Sequence, residues 1–198
     1  MRSRSTISVM RETDDTALVE RFKNGDESAF EELVRAYQDR IYTLCRHMLG
    51  DIHDAEDAAQ DSFLKAYQHL KSFVPEASLY TWLYRIAVNT CIDYRRKPFW
   101  ESLFKRFAEG EEYLAEPPSG APSPDRLYES KQMGDLLRQS LARLSPKLRS
   151  SIVLKEVEGL SYEEIAEVLD ISMGTVKSRI ARARDELKKM MKKYTEQK

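Results

Sequence analysis

Little in this chain of 198 residues cross-links it, breaks it or carries it into a membrane. It has two cysteines, Cys45 and Cys91, with neither C-x-x-C nor metal-site spacing, which excludes a disulfide framework or a zinc ribbon. Both fall within apolar helical patterns, as small buried thiols of a reducing compartment do. The three histidines, His47, His53 and His69, are scattered and suggest no metal centre. Seven glycines and seven prolines are few, and most prolines share one stretch, so helices are favoured over a sheet-rich fold. No apolar run approaches the roughly 18 residues that span a bilayer. Residues 1–13 contain arginines but no apolar core, so neither signal peptide nor membrane insertion is expected, and the cytoplasm is the expected location. There is no glycine-rich phosphate loop and no nucleophile–base arrangement, so the reading is that this is no enzyme and has no cofactor. No internal repeat is evident. A net charge of −1 says nothing by itself; how the charge is distributed matters more.

The chain divides into four stretches. Residues 1–13 read as a disordered N-terminal tail, and residues 14–97 as a first helical domain. Within it, helices are predicted over Thr16–Lys23, Asp26–Leu49, from Asp51 or Asp54 to about Phe73, and over Ser78–Lys97. Asn24-Gly25, Gly50 and Pro75 supply the breaks. The second of these helices carries the stripe Phe30, Leu33, Val34, Tyr37, Ile41, Leu44 and Met48. Residues 98–126 read as a flexible linker, because Pro117-Pro118-Ser119-Gly120-Ala121-Pro122-Ser123-Pro124 cannot continue a helix. Ahead of it, Phe99-Trp100, Leu103-Phe104 and Phe107 form a small apolar cluster, either a short packed helix or a docking segment. Residues 127–198 form a second helical domain, in which Ser145-Pro146 is a cap followed by proline at the first helical position.

The most informative stretch is Ser161–Arg184, which reads as two short helices joined by a tight turn. Ser161 and Glu164 form an S-x-x-E capping box, and Ile165, Ala166 and Leu169 give the first helix its apolar face. Asp170-Ile171 make the break, and Ser172 caps the second helix. There Val176, Ile180, Ala183 and Leu187 form one buried stripe, with Lys177, Ser178, Arg179, Ala181, Arg182 and Arg184 in front of it or on its flanks. Charge is partitioned sharply. Lys155–Ile171 holds one lysine and six acids, whereas Ser172–Lys193 holds eight lysines and arginines and two acids. A merely solvated surface mixes the signs. A helix anchored behind and basic in front fits the DNA major groove.

The first domain also carries chemistry. In Ser78–Lys97, Trp82, Arg85, Asn89, Asp93 and Arg96 recur on the side opposite the core face. An aromatic beside cations and amides stacks on unpaired bases and binds phosphate, and the preceding loop, Lys71–Ala77, can wall a pocket for an extruded base. The bland alternative is a tryptophan half-buried at a domain surface. The helix before it is acidic, with Asp54, Asp57 and Asp61 beside Gln60. That face repels DNA and suits a basic protein partner, unless it is plain solvated surface.

Together, DAEDAAQDSFLKAY, SLYTWLYRIAVNTCIDYRRK and LSPKLRSSIVLKEVEGLSYEEIAEVLDISMGTVKSRIARAR resemble the bacterial RNA polymerase sigma factors of the extracytoplasmic-function (ECF) group of the sigma-70 family. The resemblance covers about residues 14–193 and implies an all-α fold with sigma domain two, a linker and sigma domain four. It implies that Asp54, Asp57, Gln60 and Asp61 dock core RNA polymerase. It implies that Trp82, Arg85, Asn89, Asp93 and Arg96 open and read the −10 promoter element. Lys177, Ser178, Ala181 and Arg182 then read the −35 element, with Thr175, Arg179 and Arg184 nearer phosphates, while the linker threads into polymerase channels. An anti-sigma factor is the further partner implied. Ala181 is small for a contact residue, so the −35 sequence does not transfer from relatives. The rival class is a stand-alone helix-turn-helix regulator, which leaves the Trp82 stripe and the acidic helix unexplained.

Overall fold

The computed structural model describes residues 6–74, 78–96 and 124–195. Among these the chain forms eight helices and no strand: α1 Thr6–Lys23, α2 Ser28–Leu49, α3 Ile52–Leu70, α4 Leu79–Arg96, α5 Pro124–Arg143, α6 Pro146–Glu156, α7 Tyr162–Leu169 and α8 Met173–Thr195. The aromatic cluster Phe99–Phe107 and nearly all of the expected linker lie outside the described residues, as does the end of the Lys71–Ala77 loop.

Two helix starts differ from expectation. α1 begins at Thr6 rather than Thr16, inside the stretch read as a disordered tail. No glycine or proline precedes Gly25, and extending a helix costs far less than nucleating one. α5 begins at Pro124 rather than Leu127, because proline is preorganised for the first helical position. α3 stops at Leu70, ahead of the expected Phe73, in tight turns from Ser72 N–H to His69 O and from Phe73 N–H to Leu70 O.

The remaining ends follow from local chemistry. Gly50 caps α2 at φ 88°, a conformation that side chains resist, and its N–H reaches Arg46 O. Asp51 opens α3 by accepting from Asp54 N–H at 3.0 Å, and Ser78 opens α4 by accepting from Thr81 N–H at 3.2 Å. Ser145 does the same for α6 at Leu148, with Pro146 following.

α2, α3 and α4 pack on one another, with α1 across them. Leu33, Tyr37, Ile41, Leu44 and Met48 of α2 are buried as the stripe predicts, while Phe30 and Val34 are half-buried. Cys45 of α2 and Cys91 of α4 are free, fully buried thiols, close enough for each to act on the other electrostatically. In the second half α6 packs against α7 and α8, and α5 against α8. α7 buries Ile165 and Val168, whereas the expected Ala166 and Leu169 are only half-buried. The difference arises because α7 is held by α6, α8 and α4 together, so no single stripe describes its contacts.

The two halves meet directly. α2 packs on α5 and α6, and α4 packs on α7, so one buried cluster runs from Val19 to Ala183. Arg149 of α6, 1% exposed, lies in this seam. Its guanidinium donates to Met48 O at 2.6 Å and Leu144 O at 3.4 Å. Met48 belongs to the last turn of α2, where orphaned carbonyls and the helix dipole favour a cation.

Candidate nucleic-acid interface

The basic helix is built as the spacing predicts. The capping box of α7 is complete: Glu164 N–H donates to Ser161 Oγ at 3.1 Å, and Ser161 N–H to Glu164 Oε2 at 2.7 Å. Asp170 then turns the chain in the left-handed region, φ 51° and ψ 54°. Ser172 Oγ accepts from Thr175 N–H at 3.2 Å and starts α8. Val176, Ile180 and Ala183 are buried, and Leu187 is half-buried. With that stripe anchored, Lys177, Ser178, Ala181 and Arg182 stand exposed. Ser178 is tied to Thr175 O at 2.9 Å, and the Thr175 hydroxyl to Ser172 Oγ. Arg179 is half-buried.

Two cations of the set are already engaged. The Lys177 ammonium lies 5.9 Å from the Tyr162 ring centre, within cation–π range. Arg184 turns back to α6, pairing with Glu156 at 2.5 Å through Nη2 and 3.1 Å through Nε. That carboxylate raises the Arg184 pKa further. The group left exposed on this face is therefore Lys177, Ser178, Ala181 and Arg182, while the Arg184 guanidinium is paired to α6.

On α4, Arg85, Asn89, Asp93 and Arg96 are exposed at helical spacing, while Leu83, Tyr84, Ala87, Val88 and Cys91 fill the core. Trp82 is half-buried and rests on Phe73 with ring centres 5.0 Å apart. Phe73 belongs to the loop assigned to a base pocket, and Val74 beside it is 63% exposed. The stripe thus begins at an aromatic edge and continues into cations and an amide, the arrangement that stacks bases and holds phosphate.

On α3, Asp57 and Gln60 are exposed and Asp54 and Asp61 half-buried. Asp61 accepts from the Tyr94 hydroxyl at 2.7 Å. Burial, then this carboxylate, push the Tyr94 pKa above its ordinary value. One turn beyond Gln60 and Asp61, Leu64 is 60% exposed. The sequence reading missed Leu64, although its place seven residues after Asp57 puts it on the same face. An acidic face repels nucleic acid, and an exposed aliphatic side chain on it offers apolar area to a protein surface. Among the described residues, no group of histidine, cysteine and acidic side chains could hold a metal ion.

Comparison with known proteins agrees with this arrangement. Residues 33–100 match the Sigma-70 region 2 family model and residues 134–187 the Sigma-70, region 4 model. The chain is 38% identical over 177 residues to the ECF RNA polymerase sigma factor SigW of Bacillus subtilis, covering 88% of this chain and 95% of that protein. It is 39% identical over 180 residues to the ECF RNA polymerase sigma-E factor of Escherichia coli, covering 86% and 91%. Among solved structures, CnrH in complex with the cytosolic domain of CnrY superposes with TM-score 0.66 at 27% identity, covering 90% of this chain and 97% of that one. The sigma factor RpoE in complex with the anti-sigma factor NepR, from Bartonella quintana, superposes with TM-score 0.61 at 27% identity, covering 82% and 96%. Nothing in these matches favours a stand-alone regulator; with both regions in one chain, this protein belongs to the sigma-70 family of RNA polymerase sigma factors, in its extracytoplasmic-function group.

Proposed function

We propose that the sigma-factor activity of this chain is divided between its halves as follows. Residues 14–97 form sigma domain two, in which the α3 face of Asp54, Asp57, Gln60 and Asp61, extended by Leu64, docks core RNA polymerase. The α4 stripe of Trp82, Arg85, Asn89, Asp93 and Arg96 opens and reads the −10 element. Residues 127–198 form sigma domain four, whose α8 residues Lys177, Ser178, Ala181 and Arg182 read −35 bases, with Thr175, Arg179 and Arg184 nearer the backbone. The observation that carries this reading is the pairing of an exposed basic face on α8 with an aromatic-edged cationic stripe on α4.

The same reading places the protein in the cytoplasm beside core RNA polymerase. No helix among the described residues is long and apolar enough to cross a membrane. An anti-sigma factor is its proposed inhibitor. A groove of about 650 Å³, floored by Leu137, Leu141, Ile152 and Val153 and edged by Lys188, Lys192 and the Arg184–Glu156 pair, suits an amphipathic helix from that partner.

Mechanistically, flipping a base out of the duplex costs a few kcal/mol, and stacking on an aromatic returns about 1–3 kcal/mol per base. Reconstitution with core polymerase tests the assignment. Trp82→Ala with Asn89→Ala is expected to leave closed-complex formation nearly intact and to slow melting, read by permanganate reactivity of thymines. A template mismatched across the −10 region is expected to restore much of the transcription. Undiminished melting by the folded double variant on a fully paired promoter would return Trp82 to a packing role.

A further inference from the structure

Tyr94 belongs to α4 by sequence but serves the acidic face of α3. It lies between Asp93 and Arg96 of the proposed −10 stripe, yet it is half-buried, and its hydroxyl donates to Asp61 Oδ2 at 2.7 Å. Burial, the bond to Asp61 and the charges of Asp61, Asp57 and Asp54 all disfavour its phenolate. Three of the four proposed docking residues therefore act on one hydroxyl of the neighbouring helix. A second contact crosses the same seam the other way. Lys65 follows Asp61 by four residues, the spacing at which an acid and a later lysine pair on a helix. They do not pair here: the Lys65 ammonium donates to Thr90 Oγ1 of α4 at 3.0 Å, and Thr90 is fully buried. Among the described residues neither Asp61 nor Lys65 forms an ion pair.

The two contacts separate direction from charge. A phenol that donates to a carboxylate fixes its direction and adds no positive charge, whereas a lysine in the same place would fix it and cancel it. Hydrogen bonds to an ionised acceptor are about twice as strong as neutral ones, which holds a short side chain in one rotamer. A carboxylate has about four acceptor sites, so one tyrosine leaves most of the capacity of Asp61 for a partner. The cation nearest in sequence is meanwhile drawn off to Thr90. We propose that the α3–α4 seam presents Asp61 to core RNA polymerase as an oriented but uncompensated anion, with Tyr94 and Thr90 as its positioning residues. Tyr94 aims the carboxylate, and Thr90 keeps Lys65 away from it. This rests on the docking role of Asp61.

Both properties favour association. A side chain that is ordered before contact loses no further freedom at the interface. An anion that is not already neutralised attracts a basic surface, which speeds encounter and fixes register. The arrangement also gives two residues of the DNA-side helix a task in protein docking, although neither Tyr94 nor Thr90 belongs to the exposed −10 stripe.

The test uses the full chain, labelled at its N terminus with a fluorophore and titrated with core RNA polymerase, with urea unfolding run on each variant. Tyr94→Phe removes only the hydroxyl. It is expected to weaken binding about two- to tenfold, the range for one side chain newly immobilised on association. In an Asp61→Ala background the same change is expected to cost nothing, because no carboxylate is left to orient. Thr90→Val keeps the side-chain shape and frees the Lys65 ammonium for Asp61. It is expected to weaken binding by up to about fivefold, and adding Lys65→Met is expected to restore it. A merely structural role lowers unfolding stability but produces neither this coupling nor this rescue. Equal losses from Tyr94→Phe with and without Asp61 overturn the proposal. So does a Thr90→Val variant that binds as tightly as the parent or is not restored by Lys65→Met. If Asp61→Ala weakens binding and Tyr94→Phe does not, the docking role of Asp61 stands and its positioning falls. If Asp61→Ala costs nothing, the docking role falls and the positioning with it.

Discussion

Arg149→Ala is the sharpest test of how the halves are joined. The side chain is 1% exposed and, among the described residues, pairs with no carboxylate; its guanidinium donates to two main-chain carbonyls, and its Nε has no partner there. The bond to Met48 O at 2.6 Å comes from a charged donor and is worth about 1.5–3 kcal/mol. The bond to Leu144 O, at 3.4 Å, adds little. Truncation also removes about two methylenes from the seam, roughly 0.8 kcal/mol each. Against this, a buried guanidinium without a counterion carries a desolvation cost that disappears with it. The sum is a net loss of about 2–3 kcal/mol, or roughly 4–12 °C in Tm for a chain of this size. Arg149→Met keeps the stem and discards the charge, so it is expected to lose only about 1 kcal/mol, the deficit of the unpaired Met48 carbonyl. Urea unfolding followed by circular dichroism gives the magnitudes, and calorimetry gives the cooperativity. One transition is expected for the parent chain and a split or broadened one for the alanine variant, as the halves uncouple. A single unshifted transition for Arg149→Ala would refute the reasoning, because the seam would then owe nothing to this residue.

Three further outcomes follow from the sites. Arg182→Ala is expected to lose about 1–3 kcal/mol of discrimination between native and scrambled −35 DNA in the holoenzyme. Lys189→Ala loses less, chiefly as a shallower salt dependence; equal effects on both DNAs would remove Arg182 from the readout. Asp57→Lys with Asp61→Lys is expected to abolish co-purification with core polymerase while the circular dichroism spectrum stays native. Burial raises the Glu158 pKa above its ordinary 4.5, against the pull of Tyr84, Arg40 and His47. The folded chain therefore holds this proton more tightly than the unfolded one. The stability this group contributes is fully present at pH below both values and is lost as pH rises from 4.5 through the raised value. Unfolding free energies of the parent chain and Glu158→Gln across that window are expected to converge toward its acid side; parallel curves would show that Glu158 does not titrate differently in the two states.

What was legible in the sequence was local. Ser161–Glu164, Ser145-Pro146 and Ser172 announce helix starts within four residues of the groups they satisfy, and the α2 and α8 stripes repeat often enough to fix their buried faces. The exposed set Lys177, Ser178, Ala181 and Arg182 on α8 followed directly from that stripe. What was hidden depends on distant partners. Tyr84 reads as an inward residue, but nothing near it indicates a carboxylate 74 positions later. α6 conceals more: PKLRSSIVLKE has no helical stripe, because Arg149, Ser150, Ser151, Ile152, Val153 and Leu154 are all buried among α2, α7 and α8. Arg184 reads as a flank cation by spacing alone, and nothing near it announces its pairing with Glu156, 28 residues earlier. Leu64 was passed over because it follows the inward Phe63 in an apolar pair, and only the packing shows which of the two points out.

The two thiols give the first domain a clock. Cys45 and Cys91 come from α2 and α4, are fully buried and free, and neighbour each other. The neighbouring thiol and burial both push the Cys91 pKa up, so little reactive thiolate exists even when a reagent arrives. A disulfide reagent in solution must wait for α2 and α4 to separate. When reclosing outruns labelling, the modification rate reports how often that happens, and so the free energy of opening of this part of the chain. The same measurement in the presence of core polymerase or promoter DNA would show whether either one quiets or loosens the helices beneath the proposed −10 stripe, without any introduced cysteine.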